Sequence, residues 1–581
     1  MIQYGQQWPD HATQLTIELA CYREGLTVEQ GALGAEQHFV NAFRIFYPPE
    51  FWNHTPGHEW NEWTEKRVRN FVRHGFMTWW GCASSIKSTD AAAILLLDWL
   101  ADPVNTCTLI CSTTRSALEK RIWSEIVRLY MPYESVLPAK LVRSRLQVLN
   151  EPLVDPKAGI HGVAIMAGNV EDSTGNLLGH HKKRVRLAID EMQSTHAAAV
   201  EAVINLSTGC QDFRFIGLGN PQSYLDPLGE YSKPVNGWKS ISTDSDEWET
   251  THGICLRFDG VKSPGMVDPK KFWFMMRQDN IDKIKKWEGS INTRKYWSQV
   301  RAFIPAGGTE DSPISDAFLI SNRMMEDAIW SENGYNVVAG CDPAFSSGGD
   351  RCVLIFARVG LTPDGHDQVE FQEPIIIPLE VTGDKALTYF LADEIKRYCL
   401  DHGVMPDNLA VDCSGTQGAI VDIIETGWSR GIMRTMFGTA PTDLQVSFDD
   451  PRKAREVYAN RVTELWLHAY NYGRYGQIRG IRKDVAQEFS GRTYDKKYQG
   501  SLKKIESKKE MKLRGLCSPD LADAHAVCLS LIRERRGMLP GGAADLNLDI
   551  ARARADIARQ HDIHGEEDAY LIDPITEERA D

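Results

Sequence analysis

The chain has 581 residues, 42% of them hydrophobic and 25% charged, with a formal net charge of -14. That length exceeds what one hydrophobic core fills, so two or three domains are expected at roughly 150 residues each. The acidic balance excludes a generally basic nucleic-acid coat, although a local basic groove stays open.

The longest apolar run, AAAILLL at 91–97, stops at Asp98, well short of the ~20 residues of a membrane span. The opening MIQYGQQWPDHATQ lacks the basic and then apolar layout of a signal peptide, so no membrane and a cytoplasmic location are expected. The 12 cysteines contain no C-x-x-C, which argues against a zinc ribbon or a redox pair. His54 and His58 in HTPGHEW read as an exposed turn, and neither this pair nor His180-His181 is completed to a metal site by a Cys or carboxylate pattern. EWNEW at 59–63 reads either as an adenine-stacking entrance or as a packed amphipathic helix.

In chain order, VRHGFMTWWGCASSIKSTDAAAILLLDWLA at 72–101 predicts a strand, a tight turn and an apolar helix. It follows G-x-x-x-x-G-K-[ST], with Gly81, Lys87 and Ser88 in register. Ile86 stands at the second glycine, a β-branched residue where the loop favours one without a Cβ. Gly81, Ser84, Ser85, Ile86, Lys87, Ser88 and Thr89 are therefore the candidate phosphate cradle. NTCTLICSTT at 105–114 predicts a buried strand, RSALEKRIWSEIVRLYM at 115–131 a helix, and GVAIMAG at 162–168 a further strand.

KKRVRLAIDEMQ at 182–193 runs an apolar strand into Asp190-Glu191. A first carboxylate there can hold Mg²⁺ and a second can orient or deprotonate an attacking water. DFRFIGLGNPQSYLDP at 212–227 predicts one more strand, ending at Asn220, an amide placed to sense a γ-phosphate. Loop, helix, strand, helix, strand with acids, and strand occur in the order a doubly wound, mainly parallel sheet requires.

After a mixed stretch from about 230 to 333, NVVAGCDPAFSSGGDRCVLIFARVG at 336–360 predicts an antiparallel hairpin with Asp342 near the middle of its first strand. NLAVDCSGTQGAIVDII at 408–424 predicts a strand ending in Asp412 and passing into a helix. SPDLADAHAVCLSLIRE at 518–534 puts Asp520 and Asp523 three apart, on one face at the start of an amphipathic helix. Carboxylates gathered from separate strands and one helix suit divalent cations ~4 Å apart that hydrolyse a phosphodiester, an RNase H-like layout. GSLKKIESKKEMKLRG at 500–515 concentrates Lys503, Lys504, Lys508, Lys509, Lys512 and Arg514. A charge run is by default a solvated face; beside an acid cluster it is a candidate guide for DNA phosphates.

The loop, AIDEMQ, GLGNP, VRAFIP, CDPAFSSGGD, VDCSGTQG and ESKKEMKLRGLCSPDLADAHA together resemble the large terminase subunit of tailed bacteriophages, over roughly residues 50–535. The resemblance implies an N-terminal ASCE-type P-loop ATPase and a C-terminal RNase H-like α/β nuclease. It implies Lys87 and Ser88 on ATP phosphates and Mg²⁺, Asp190 as the Walker B acid and metal ligand, Glu191 as catalytic base, and Asn220 in the coupling motif. It implies Asp342, Asp412 and Asp523 as nuclease metal ligands with Asp520 as the fourth, served by Mg²⁺ or Mn²⁺. Ile86 departs from the pattern and leaves ATP affinity open.

The resemblance further implies double-stranded DNA as substrate, and as partners a small terminase subunit and the portal protein of the prohead. A homo-oligomeric ring of five copies when packaging is implied too, working in the host cytoplasm. Arg115 and Arg121 are candidates for an arginine acting on a neighbouring copy. The organisation expected is an N-terminal extension (1–50), the ATPase domain (51–245), a linking subdomain (246–333), the nuclease domain (334–538) and an acidic tail (539–581). The alternatives are an inactive prophage remnant and another ATPase-nuclease, helicase-like or recombinase-like, acting on DNA.

Overall fold

The computed structural model describes residues 8–25, 34–53, 58–135, 137, 139–142, 145–148, 157–165, 182–195, 197–305, 308–332, 334–344, 351–379, 386–514 and 516–542. His54, His180, His181 and most of the expected acidic tail lie outside them. The chain divides into two units, Met1–Glu310 and Asp311–Asp581. The stretch 246–333, expected as a linking subdomain, is shared between them, and its first part contributes strands to the sheet of the first unit.

Nine strands build that sheet among the described residues: β1 (Phe76–Gly81), β2 (Thr106–Ser112), β3 (Ala139–Val142), β4 (Arg145–Val148), β5 (Gly159–Ala164), β6 (Arg184–Asp190), β7 (Asp212–Gly219), β8 (Glu247–Glu249) and β9 (Ile254–Phe258). Their order is β3-β4-β5-β2-β6-β7-β1-β9-β8. The run from β5 to β9 is parallel throughout, and antiparallel pairs finish both edges. Every residue of β2 and β6 is buried, as expected of parallel strands covered on both faces. β7 stands between β1, which leads into the Lys87 loop, and β6, which ends in Asp190. That is the ASCE-type P-loop arrangement.

Helices α1 (Trp8–Glu24), α2 (Ala35–Phe46) and α3 (Glu62–Arg73) pack over α4 (Lys87–Ala101). Residues 90–99 of α4 are all buried, because its apolar side chains go all round rather than in one stripe. Of the two readings of EWNEW, the packed helix holds: Asn61 caps α3 by accepting from the backbone N–H groups of Trp63 and Thr64, and Trp63 is buried. His58 is no exposed turn residue. It is buried, with Nε2 2.8 Å from Asp90 Oδ1. The expected helix 115–131 is two helices, α5 (Arg115–Lys120) and α6 (Ile122–Tyr130), broken where Arg121 takes φ -113 and ψ -109.

In the second unit, β10 (Tyr335–Asp342), β11 (Cys352–Leu361), β12 (Asp367–Phe371), β13 (Ile375–Ile377), β14 (Leu409–Asp412) and β15 (Met433–Thr435) join a short strand β16 (Ile478–Arg479) in one sheet. The order along it is β15-β14-β10-β11-β12-β16, with β13 paired to β11. β10, β11 and β12 form an antiparallel meander; β14 and β15 run parallel to β10. This is the RNase H-like order. Helices α8 (Leu387–Asp401) and α9 (Gly418–Gly427) bury their apolar stripes against one another and the sheet core. Asp342 is the last residue of β10, not a mid-strand residue as the sequence suggested.

One buried charge holds α1, α4 and β6 together. Asp98 of α4 receives Arg184 Nη2 and Arg186 Nε, each at 2.7 Å, and the Tyr22 hydroxyl at 2.5 Å. Burial alone would raise its pKa, but the two guanidinium groups hold it well below the usual carboxylate range. Its stabilising contribution is therefore complete above the unfolded value near ~3.9 and is lost as the pH falls towards the depressed folded value. Asp98→Asn leaves two buried cations under-paired and is expected to cost about 3–5 kcal/mol. Urea unfolding at pH 7 measures that loss, and the gap between wild type and variant should narrow on acidification below pH ~4.

Candidate active sites

In the first unit, β1 delivers Gly81 and the chain turns through Ser84 and Ile86, both left-handed (φ +55 and +53), into α4. The position where the motif carries glycine thus does adopt a glycine-like backbone, and isoleucine bears it. At Gly81 a Cβ would stand 2.5 Å from Ser85 Oγ and 3.1 Å from Lys87 Cδ. The N–H groups of Lys87, Ser88 and Thr89, in the first turn of α4, lack intrahelical acceptors and point where the helix dipole favours an anion.

Asn220, just past β7, ties this loop: its Nδ2 donates to Gly81 O at 2.7 Å, and Lys87 Nζ donates to its Oδ1 at 3.2 Å. Ser88 Oγ donates to Asp190 Oδ1 at 3.2 Å. Asp190 Oδ2 and Ser85 Oγ are buried without a hydrogen-bond partner. Buried oxygens without a partner are rare, and two at one loop mark a place for a bound group. Burial, then the neighbouring Glu191 charge, pushes the Asp190 carboxyl up to about 6. The hydroxyl of Ser88 and the free oxygen of Asp190 fit Mg²⁺, a hard cation with a preference for oxygen.

Glu191 also has a left-handed backbone, φ +56. Arg121 reaches it from the break between α5 and α6, with Nη1 2.8 Å from Oε1, while Gln193 Nε2 donates to Oε2 at 2.6 Å. Gly219 makes room for that glutamine, since a Cβ there would lie 1.9 Å from Gln193 Oε1. Arg121 is therefore engaged within its own chain, and Arg115 pairs with Glu119 on the surface. Behind the loop, Asp90 of α4 binds buried Arg67 as well as His58 and Thr64, which anchors the first turn of the helix to α3. These ties set the loop's position.

In the second unit, Asp342 and Asp412 end the adjacent parallel strands β10 and β14. α13 (Asp520–Glu534) brings Asp520 and Asp523 in its first turn. The helix can lie on β10 because Gly340 has no side chain: a Cβ there would meet Cys528 N at 2.5 Å and Ala524 O at 2.7 Å. Each carboxylate is held. Ser414 donates to Asp412 from its N–H and Oγ at 3.0 and 2.6 Å, Gln417 Nε2 to Asp342 Oδ1 at 3.3 Å, the Arg351 N–H to Asp520 Oδ2 at 2.9 Å, and Trp466 Nε1 to Asp523 Oδ1 at 2.7 Å.

Lys508, in the first turn of α12 (Lys508–Leu513), points its ammonium into this group, 2.7 Å from Asp523 and 3.9 Å from both Asp342 and Asp520. Among the described residues no set of three or more His, Cys, Asp or Glu side chains is arranged to hold a metal ion as it stands. The donor set nevertheless fits one. All four ligands are hard oxygens, and the charge balance is short of positive charge: burial and mutual repulsion raise Asp342 well above the carboxylate range despite Lys508, and burial pushes Asp412 up to about 6. Divalent cations relieve that imbalance and match those oxygens.

The basic run divides on inspection. Lys508 belongs to the carboxylate cluster; Arg514 is paired with Glu506 and donates to Gly491 O; Lys504 is paired with Asp495. Lys503, Lys509 and Lys512 are exposed, although partial desolvation lowers the pKa of Lys503. Glu488 on α11 (Lys483–Gly491) was not anticipated. It accepts the Ala522 N–H at 2.9 Å and pairs with Arg351, and burial pushes it up to about 7. Its only sequence signal is an acid on a short amphipathic helix, which is too common to single out.

A left-handed β-branched residue costs about 1–2 kcal/mol. Ile86→Gly and Ile86→Ala remove the same half-buried side chain, but only glycine accepts the backbone. In urea unfolding the glycine variant should therefore be the more stable of the two by about 1 kcal/mol. Equal stabilities, or a more stable alanine variant, would contradict the strain at this loop.

Compared by sequence, the chain matches no family model and no curated protein. Among solved structures it is similar to the nuclease domain of the large terminase subunit gp2 of bacterial virus Sf6, at 16% identity over 38% of this chain and 98% of that one, with a TM-score of 0.28. Variants of that domain have been solved with manganese and with calcium. The chain is also similar to the large terminase ATPase domain of Thermus phage P74-26, at 15% identity over 44% of this chain and 96% of that one, with a TM-score of 0.32.

Proposed function

We propose that this chain is a DNA-packaging motor of the large-terminase type. It hydrolyses ATP to drive viral double-stranded DNA into a prohead, and it cuts concatemeric DNA with a metal-dependent nuclease. The observation that carries the reading is the pairing of two phosphate-directed sites in one chain: Lys87, Ser88, Asp190 and Asn220 around a loop and helix N-terminus, and four carboxylates at the ends of β10, β14 and α13. A helicase has no use for the second site, and a recombinase has none for the first. A small terminase subunit, a portal protein, a five-membered ring and the host cytoplasm complete the proposal.

In the first site Lys87 and the first-turn amides of α4 bind the phosphates of ATP, while Ser88 and Asp190 hold Mg²⁺, which neutralises phosphate charge when bound. Asn220 binds Lys87 and Gly81 at once and so couples the γ-phosphate position to β7. Glu191 accepts the proton of the attacking water once it leaves Arg121, whose guanidinium is then free for phosphate charge. In the second site Asp342, Asp412, Asp520 and Asp523 would hold divalent ions, whose chemistry there would be activation of water and stabilisation of the leaving oxygen. Trp466, Ser414 and Gln417 keep three of those carboxylates oriented, and Lys508 balances their charge before the ions arrive.

Two variants measured on one preparation test the assignment. Glu191→Gln should retain nucleotide binding and slow ATP hydrolysis by about 10²-fold or more, with plasmid cleavage kept. Asp412→Asn should abolish Mg²⁺- or Mn²⁺-dependent plasmid cleavage with ATP hydrolysis kept. Both should stop packaging of intact genomes into purified proheads. A remnant without activity would turn over neither substrate, and an Asp412→Asn protein that still cuts DNA would remove the acid cluster from the chemistry.

A further inference from the structure

The DNA-directed reading needs a cationic surface, and half of the basic run at 503–514, Lys504, Lys508 and Arg514, is paired with acids. Another segment of this acidic chain is better placed. Residues 260–301 hold ten Lys and Arg against four Asp and Glu, a surplus of six positive charges in a chain whose total is -14. At its centre is α7 (Gln278–Glu288), which turns Ile281 inward and packs Ile284 against the core of the first unit. The outward side carries Lys286 with Lys283, Asp279 and Asp282 around it at three- and four-residue or near-helical spacing, while Lys285 and Trp287 stand to either side of Lys286.

Two features of this face are not explained by folding. Trp287 is 81% exposed, whereas Trp79, Trp80, Trp99 and Trp466 are fully buried; a large apolar ring left in water is a cost that a partner would remove. Nearby in the chain, Trp273 is 57% exposed and Val267 86%. The ammonium groups of Lys270, Lys285 and Lys286 form no ion pair among the described residues. Of the four acids of the segment, Asp279 takes Arg277 and Lys283 and Glu288 takes Lys295, while Asp268 accepts the backbone N–H groups of Lys270 and Lys271 and Asp282 accepts Gln278 Nε2.

We propose that the outward side of α7, with Lys286 at its centre and Lys285 and Trp287 to either side of it, is a docking surface for the sugar-phosphate backbone of double-stranded DNA. The lysines meet phosphates, and the indole covers the deoxyribose between them. Such contacts carry no base information, so the surface holds DNA of any sequence and suits a strand that must slide. This inference rests on the DNA-directed reading above and adds to it which surface of the first unit the duplex touches.

The test measures binding of the full-length protein to a labelled random-sequence duplex by fluorescence anisotropy across a salt series, with EDTA present to prevent cleavage. Wild type should bind with an affinity that falls linearly on a logarithmic salt scale. In the double variant Lys285→Glu, Lys286→Glu, affinity should fall about tenfold or more and the slope should shrink by about two, since each lost phosphate contact removes roughly 0.9. Trp287→Ala should weaken binding by about tenfold and leave the slope unchanged. Reversing two exposed lysines elsewhere in the unit, Lys233 and Lys239, should shrink the slope by less than one. Lys285 is half-buried and the other substituted side chains are exposed, so thermal unfolding should match wild type.

If wild type binds the duplex and the α7 variants bind equally well, the surface is wrong while the DNA-directed reading survives. If wild type binds no duplex, both fall. If the Lys233 and Lys239 variant behaves like the α7 pair, the effect is general charge and the surface assignment is overturned. If the α7 variants keep their duplex affinity but lose sedimentation with phosphatidylglycerol vesicles, the occupant is a lipid surface and the proposal is overturned.

Discussion

A carboxylate taken out of water has to be matched by positive charge, and the structure handles this demand in two ways. Asp98 and Asp90 are matched within the chain, by Arg184 and Arg186 in one case and by Arg67 with His58 in the other, and both are depressed below the ordinary range. Asp190, Asp342 and Asp412 are buried as deeply or nearly so, yet are raised. The first pair holds helices to sheets; the second group is under-matched and stands at strand ends, where a bound cation would supply the missing charge. Carboxylates that build the fold and carboxylates kept for chemistry are thus told apart by how completely they are neutralised.

The backbone draws the same distinction. Among the described residues five that are not glycine have positive φ, and three of them, Ser84, Ile86 and Glu191, border the phosphate loop. Strain of this kind persists only where surrounding contacts over-determine the conformation. Here those contacts are visible: Asn220 across the loop, Arg121 and Gln193 on Glu191, and the Asp90 anchor behind α4. The loop is held in shape by contacts within the chain, so little ordering would remain for a ligand bound there.

Much of this was legible in the sequence because it is local. Alternating apolar strands and helices gave the order of the parallel sheet, and Asp190, Asp412, Asp520 and Asp523 stand at the strand and helix ends expected of them. Four features were not legible, each because it depends on residues far apart in the chain. Lys508 looked like one of six basic residues in a run, and only the approach of α12 to α13 turns it towards acids. Arg121 sat in the middle of a continuous helical pattern, yet its backbone departs from the helix where it meets Glu191. His58 read as part of an exposed Pro-Gly turn, but Asp90 draws it inside. The basic segment around α7 was passed over as mixed, because its charges are spread over some forty residues rather than packed into one run.

Gly340 sets a length. With no Cβ between them, β10 and α13 approach backbone to backbone, and that approach fixes how far Asp342 on the strand lies from Asp520 and Asp523 on the helix. A side chain at this position would act as a wedge about two residues from Asp342, and the helix would carry its two acids outward as a rigid body. Larger residues elsewhere in the core could repack around such a shift, but four carboxylates drawn from two strands and one helix cannot follow it together. The gauge of the acid cluster is therefore written in an absence of atoms, at a residue that contributes no side chain to the cluster.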